Sequence, residues 1–315
     1  MTRDVPQWLA PTTLEEALEL RARFGDEATV VAGGTFIGIL MSQRIMMPTA
    51  LLALRNVGGL AFIEENQGDH TTRGSPLRIG AMTTHRAVER SALIRQDWPI
   101  LAHTFSLVAS PRVRNQATVG GVLADADYAS DPPAMLCALD ARAVARSLHG
   151  EREIPIEELI TGYYETSLRP DELLTEVRIP HQVERAAYRK FRTRSSEDRP
   201  CVAVAAAQIN GKLRLVVGAV AERPQYFPDI CSLADEERNG ATLASHAPTP
   251  LVRGYASRQA HARNVSGGTN RELAAEIGRR YAEAIQPISD ARGSAEYRRR
   301  VIAVEVRRAL EEMYP

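Results

Sequence analysis

Val30-Val31-Ala32-Gly33-Gly34-Thr35-Phe36-Ile37 decides the reading of this chain. A short β-branched run stops at two glycines, the pattern of a buried strand that ends in a tight turn. Glycine lacks a Cβ, so its amide can approach a ligand closely and its φ can be positive. Successive N–H groups in such a turn form an anion-binding nest. A second glycine pair lies in Thr118-Val119-Gly120-Gly121, followed by Leu123 and the acids Asp125, Asp127 and Asp131. Two nests in one chain suggest a ligand with two phosphates held from more than one side, which points to a dinucleotide. Neither turn is a Rossmann fingerprint, because G-x-G-x-x-G is absent, and no Gly-Lys-Ser/Thr follows as in a P-loop.

Working outward, Thr13-Leu14-Glu15-Glu16 has capping-box spacing, and Leu14, Ala17, Leu18 and Ala22 recur at helical intervals up to Gly25. Strands are expected at 28–32 and 51–54, with a short helix from Phe36 to Met41 between them. Further strands are expected at 61–65, 77–80, 142–147, 152–155 and 173–179, around a polar loop from Asn66 to Pro76. Helices are expected from Thr84 to Ser91, at 98–108 and from Pro132-Pro133 to Leu139, with Ser110-Pro111 as a break. Pro180 marks a boundary. Beyond it, 187–193, 202–209 and 212–219 read as strands, and Asn210-Gly211 signals a hairpin. Polar sequence runs from about 222 to 268, followed by helices near 270–284 and 295–312. This gives an α+β chain divided into 1–57, 58–176 and a C-terminal domain of antiparallel sheet and helices over 177–315.

Composition removes several function classes. Lys plus Arg and Asp plus Glu both number 39, so no broad basic face is available for nucleic acid. Aromatic content is 5%, which argues against a base-stacking platform. Cys137, Cys201 and Cys231 are far apart and form no C-x-x-C pair, which argues against a zinc site or iron–sulfur cluster within the chain. No stretch approaches the ~20 apolar residues of a membrane span, and Met1 to Pro6 has no apolar leader. A soluble cytoplasmic protein is expected.

Asp125, Asp127 and Asp131 read better as loop acids accepting hydrogen bonds than as a metal cluster, since no His-x-x-x-His accompanies them. His85, His103, His149, His181, His246 and His261 are scattered and need no more than packing. Lys190 lies in Tyr188-Arg189-Lys190-Phe191-Arg192, where spacing alone favours a solvated strand edge over a cation beside a ring system. The arginines from Arg298 to Arg308 read as a solvated helix face or a rim for a partner chain. No Gly-x-Ser-x-Gly elbow is present, and no general acid or base is assigned.

With both loops and the C-terminal segment in view, the chain resembles the FAD-binding medium subunits of molybdenum hydroxylases. These include carbon monoxide dehydrogenase-type enzymes and the flavin domain of xanthine dehydrogenase. The resemblance rests on Val31-Ala32-Gly33-Gly34-Thr35, on Arg114-Asn115-Gln116-Ala117-Thr118-Val119-Gly120-Gly121, on Ala126-Asp127, Ala129-Ser130-Asp131 and Pro133-Ala134, and on Tyr188 to Arg192. Ser289-Asp290-Ala291-Arg292-Gly293-Ser294-Ala295-Glu296-Tyr297-Arg298 completes it. The blocks span essentially the whole chain.

The resemblance implies a vanillyl-alcohol-oxidase/PCMH-type fold of two α/β subdomains clasping FAD, followed by the C-terminal domain. It implies that Val30 to Ile37 wrap the pyrophosphate and ribose, and that Thr118, Val119, Gly120 and Gly121 meet the pyrophosphate from the second subdomain. It places Val108 in the cofactor site, Asp131 against a polar part of FAD, and Leu173 and Lys190 near the flavin ring. Val122 stands where the family usually has Asn, and Asp125 where related chains often have His. The implied role is electron transfer: a large molybdopterin subunit oxidises substrate and a small subunit with two [2Fe–2S] clusters relays electrons to FAD here. The resemblance further implies an external acceptor such as NAD, a quinone or oxygen, and assembly as a dimer of heterotrimers. A flavin-free structural or assembly subunit and a stand-alone flavin oxidase are the competing readings.

Overall fold

A computed structural model describes residues 5–65, 76–179, 183–195, 198–245 and 259–315, with backbone alone over 237–245 and 259–269. Strands Gln7–Leu9, Ala50–Ala53 and Ala28–Val31 pair in that order into a small parallel sheet. Parallel neighbours need crossovers. The helix Leu14–Phe24 supplies one, and its start follows the capping signal: Thr13 Oγ1 accepts from Glu16 N at 3.2 Å. Glu16 reaches back to Thr12 N, one residue before the cap. The helix Ile37–Ser42 supplies the other and begins where the first glycine turn ends.

A second sheet is wholly antiparallel, in the order Ile63–Glu65, Leu77–Gly80, Leu173–Ile179, Arg142–Ser147, Gly150–Pro155. The helices His85–Arg90, Ala92–Asp97, Pro99–Ser106, Val119–Ala124 and Asp131–Ala138 lie with it around one core containing Ile79, Trp98, Phe105, Leu123 and Met135. Strand Leu173–Ile179 runs through residue 176, where the sequence reading divides the second unit from the third. Pro180 and all of the loop Asn66 to Pro76 except Pro76 itself lie outside the described residues.

The third sheet runs Arg185–Phe191, Val202–Ile209, Lys212–Gly218, Gln225–Tyr226, all antiparallel. Asn210 and Gly211 take φ of 51° and 75°, as a two-residue hairpin requires. Strand Val202–Ile209 is nearly all alanine and valine because both of its faces are covered. Ala203, Ala205 and Ala207 close the middle core, whereas Val202, Val204 and Ala206 meet the C-terminal helices. Those helices are Gln259–Ala284 and Ala295–Met313.

The polar run expected from 222 to 268 is instead helical over Pro228–Ser245 and again from Gln259. Cys231 and Ala234 give that first helix a narrow buried seam, which the charged run around Asp235 and Glu236 obscures. A small hairpin, Ile160–Gly162 with Glu165–Thr166, was not anticipated. Among the described residues, no helix is long and apolar enough to cross a membrane.

Candidate functional site

Strand Ala28–Val31 delivers the chain into the first glycine loop at the edge of the small sheet. Gly34 sits at φ 69°, the left-handed conformation that glycine tolerates. Among the described residues, the amides of Gly33, Gly34, Thr35, Phe36 and Ile37 donate to no protein acceptor; internal bonding resumes with Gly38 N to Gly34 O. Val31 to Ile37 are all half-buried. This is a row of unspent donors on a fixed turn, the geometry of an anion nest.

The second loop differs. Thr118 caps the helix Val119–Ala124, its Oγ1 accepting from Gly121 N at 3.0 Å. Val119 N donates to Thr83 O, Gly120 N to Ala81 O and Val122 N to Thr118 O. The second nest expected here is not a row of free donors: capping and packing against residues 81–85 already use these amides. The Thr118 hydroxyl proton remains able to donate, because its oxygen is the acceptor in the cap. Gly120 is required by that packing, since a Cβ there would lie 2.6 Å from Ala81 Cβ.

The two loops meet. A Cβ on Gly33 would lie 2.0 Å from Gln116 O, and one on Gly121 would lie 3.7 Å from Ala32 Cβ. Phe36 also stacks on Tyr164, with centroids 5.7 Å apart and planes 10° apart.

His85 pins the second loop from beneath. Its backbone N donates to Ala117 O at 2.9 Å, and its Nε2 lies 3.2 Å from Thr118 O. Burial pushes its imidazole from 6.5 down to about 4, so the ring is neutral and Nε2 carries the proton that Thr118 O accepts. Arg114, the first residue of the second motif, donates from Nη1 to the Val108 and Ala109 carbonyls and from Nε to Glu89. Val108 is therefore tied to the second loop. Sequence reasoning missed His85 as a loop-holding residue; nothing in its spacing signals it.

Lys190 is not on a solvated edge. Its Nζ donates to Asp131 Oδ2 and to Leu107 O, both at 2.8 Å, and its side chain is 2% exposed. Tyr188 O–H donates to the other Asp131 oxygen at 2.7 Å. Burial pushes the Tyr188 phenol well above its usual range, so it stays a donor. Alternation explains the error. Tyr188 and Lys190 face the helix Asp131–Ala138, while Arg189 on the opposite face pairs with Glu305 at 2.7 Å. Both sides of the strand are covered. Leu173 lies in the core of the first sheet with Leu9, Leu18, Leu52 and Leu60, in a different cluster from Tyr188.

Asp127 behaves as a loop acid, accepting from Ala129 N at 3.1 Å and pairing with Arg199 at 2.7 Å. Asp125 is pushed up to about 7, first by burial and then by Asp127, with Arg199 opposing. In the C-terminal motif, burial tends to raise Asp290, but Arg298, Arg292 N and Tyr128 together hold it well below the usual carboxylate range. Among the described residues, no three His, Cys, Asp or Glu side chains are placed to share a metal ion.

The family described as the FAD binding domain in molybdopterin dehydrogenase matches residues 3–182, and the CO dehydrogenase flavoprotein C-terminal domain matches 242–313. The 6-hydroxypseudooxynicotine dehydrogenase complex subunit alpha of Paenarthrobacter nicotinovorans is 39% identical over 55% of this chain and 56% of its own length. The nicotine 6-hydroxylase medium subunit of the same organism is 30% identical over 97% of this chain and 96% of its own. In the crystal structure of quinoline 2-oxidoreductase from Pseudomonas putida 86, one chain superposes with a TM-score of 0.79 at 25% identity, covering 99% of this chain and 98% of that one. The mixed α+β fold, the two glycine loops and these matches agree: the chain belongs to the family of FAD-binding medium subunits of the CO dehydrogenase and molybdopterin hydroxylase type.

Proposed function

We propose that this chain binds FAD between its two glycine loops and serves as the electron-transfer subunit of a heterotrimeric molybdenum hydroxylase. The amides from Gly33 to Ile37, free of protein acceptors among the described residues, carry this reading. They suit a diphosphate, and Gly33 leaves no room for a side chain between them and Gln116. Val30 to Ile37 would hold the pyrophosphate and ribose. Thr118 to Gly121 would back them as a wall, with the Thr118 hydroxyl as a donor. Val108, Asp131, Leu173 and Lys190 complete the site the family resemblance implies. Asp131 and Lys190 neutralise each other, so they act on the cofactor as shape and dipole rather than as net charge.

FAD supplies two-electron storage filled in single-electron steps, which suits a donor with [2Fe–2S] clusters. In this reading that donor is a small partner subunit, fed by the molybdenum cofactor of a large one, and an external acceptor takes the electrons away. The chain contributes binding, orientation and exclusion of water. Helix Ile37–Ser42 is apolar yet has no buried residue, and Ile39, Ile45 and Met47 near it are exposed, a surface a partner chain would cover.

Two measurements test the proposal. The purified chain should take up added FAD and show flavin absorbance; a folded, colourless chain that does not take it up overturns it. In the assembled complex, Gly34→Asp should abolish acceptor reduction while Gly34→Asn largely keeps it. Asn and Asp are among the residues most often found at positive φ, a Cβ at Gly34 would have only Val31 Cγ1 within 4 Å, at 3.8 Å, and the two side chains are nearly the same size, so the difference isolates charge against phosphate.

A further inference from the structure

Tyr164 occupies φ 58°, a conformation that aromatic residues seldom adopt. It sits with Tyr163 in the turn between strands Ile160–Gly162 and Glu165–Thr166. The residue is 50% exposed, so burial does not account for keeping tyrosine where glycine or asparagine would be unstrained. Its contacts do. The ring stacks on Phe36, and the backbone N donates to Ala126 O at 3.2 Å. Ala126 is itself at φ 45° and lies just past the end of the second loop's helix. Two strained residues are thus bonded to each other, and one holds the ring at the end of the first loop. Phe36 belongs to the run of unspent amides. Gln116 supports that run at Gly33; Tyr164 supports it at the other end.

We propose that Tyr164 is a positioning residue for the cofactor loop: its strained backbone is retained because its ring fixes Phe36 and, through it, the direction of the Thr35 to Ile37 amides. This rests on FAD being the ligand of that loop. Backbone strain of this kind persists where the surrounding structure over-determines it, and it collects at ligand-holding sites.

The test uses the full-length chain, with FAD titration and thermal unfolding of the FAD-free protein for Tyr164→Phe and Tyr164→Gly. The glycine variant relieves the strain and removes the ring. It should bind FAD about five- to tenfold more weakly, the worth of one aromatic pair, with an unfolding temperature equal to or above the wild type. The phenylalanine variant should bind as the wild type does. Equal FAD affinity in the glycine variant overturns the proposal, as does a lower unfolding temperature in the FAD-free glycine variant, which would mark a purely structural role. Failure of the wild type to bind FAD removes the functional reading itself; wild-type binding with an unaffected glycine variant removes this inference alone.

Discussion

Gly33 and Gln116 lie in such close contact that a methyl group on Gly33 would sit 2.0 Å from the Gln116 carbonyl oxygen. The neighbour is backbone and cannot swing away. The first loop leaves the small parallel sheet and the second leads into the helix Val119–Ala124 of the middle core, so this contact holds the two layers in register at the site.

Gly33→Ala must therefore separate the loops. Overpacking of this kind costs about 1–3 kcal/mol. We expect a lower unfolding temperature and loss of FAD binding together. Unchanged unfolding with normal binding would show that the loops do not touch in solution.

Asp131 and Lys190 are 4% and 2% exposed at their side chains. Removing one charge strands the other in the interior, which costs about 3–5 kcal/mol. Lys190→Met and Asp131→Asn should each approach that loss in a urea titration. The double variant should lose much less than the sum, because the two side chains act as one unit. Additive losses would mean the pair is not formed.

Arg298 is fully buried, donating to Cys201 O at 3.1 Å, Ile288 O at 2.9 Å and Asp290 at 2.7 Å. Arg298→Met leaves two carbonyls and a carboxylate short of donors. The loss should be about 3 kcal/mol or more. Arg299→Met, on the exposed side of the same helix, should change stability by about 0.5 kcal/mol or less. Equal effects would contradict the assignment of the buried residue.

What the sequence could show follows from where its signals act. Glycine pairs, the Thr13 cap and the Asn210-Gly211 hairpin are local, because each forces the backbone of its own neighbours. The period of strand Arg185–Phe191 separates Lys190 from Arg189 but cannot say that the helix Asp131–Ala138 covers one face and the helix Ala295–Met313 the other. The same limit hid the fate of the second loop's amides. The acceptors of Val119 N and Gly120 N, Thr83 and Ala81, lie far back in the chain and leave no mark near Gly120. His85 and Tyr164 were missed for the same reason: each acts through a contact with a distant loop.

The two groups flanking the second loop have opposite pH signatures. His85 is lowered from 6.5 to about 4, so below pH 6.5 the unfolded chain takes up a proton that the folded chain refuses. Its contribution is full above 6.5 and is lost as pH falls toward 4; a drop of that size corresponds to roughly 3 kcal/mol. Asp125 is raised from 3.8 to about 7, so between those values the folded chain keeps a proton that the unfolded chain releases. Its contribution is full below 3.8 and is lost as pH rises toward 7. The two slopes partly cancel in the wild type between pH 4 and 6.5. His85→Gln removes the contribution that rises with pH, so its stability relative to wild type should worsen from pH 4 to 6.5. Asp125→Asn removes the opposing contribution, so its relative stability should improve over the same range and be greatest near pH 7. Urea midpoints at pH 4.5, 5.5, 6.5 and 7.5 read both slopes directly. Parallel profiles for the two variants would show that neither group titrates as its burial requires.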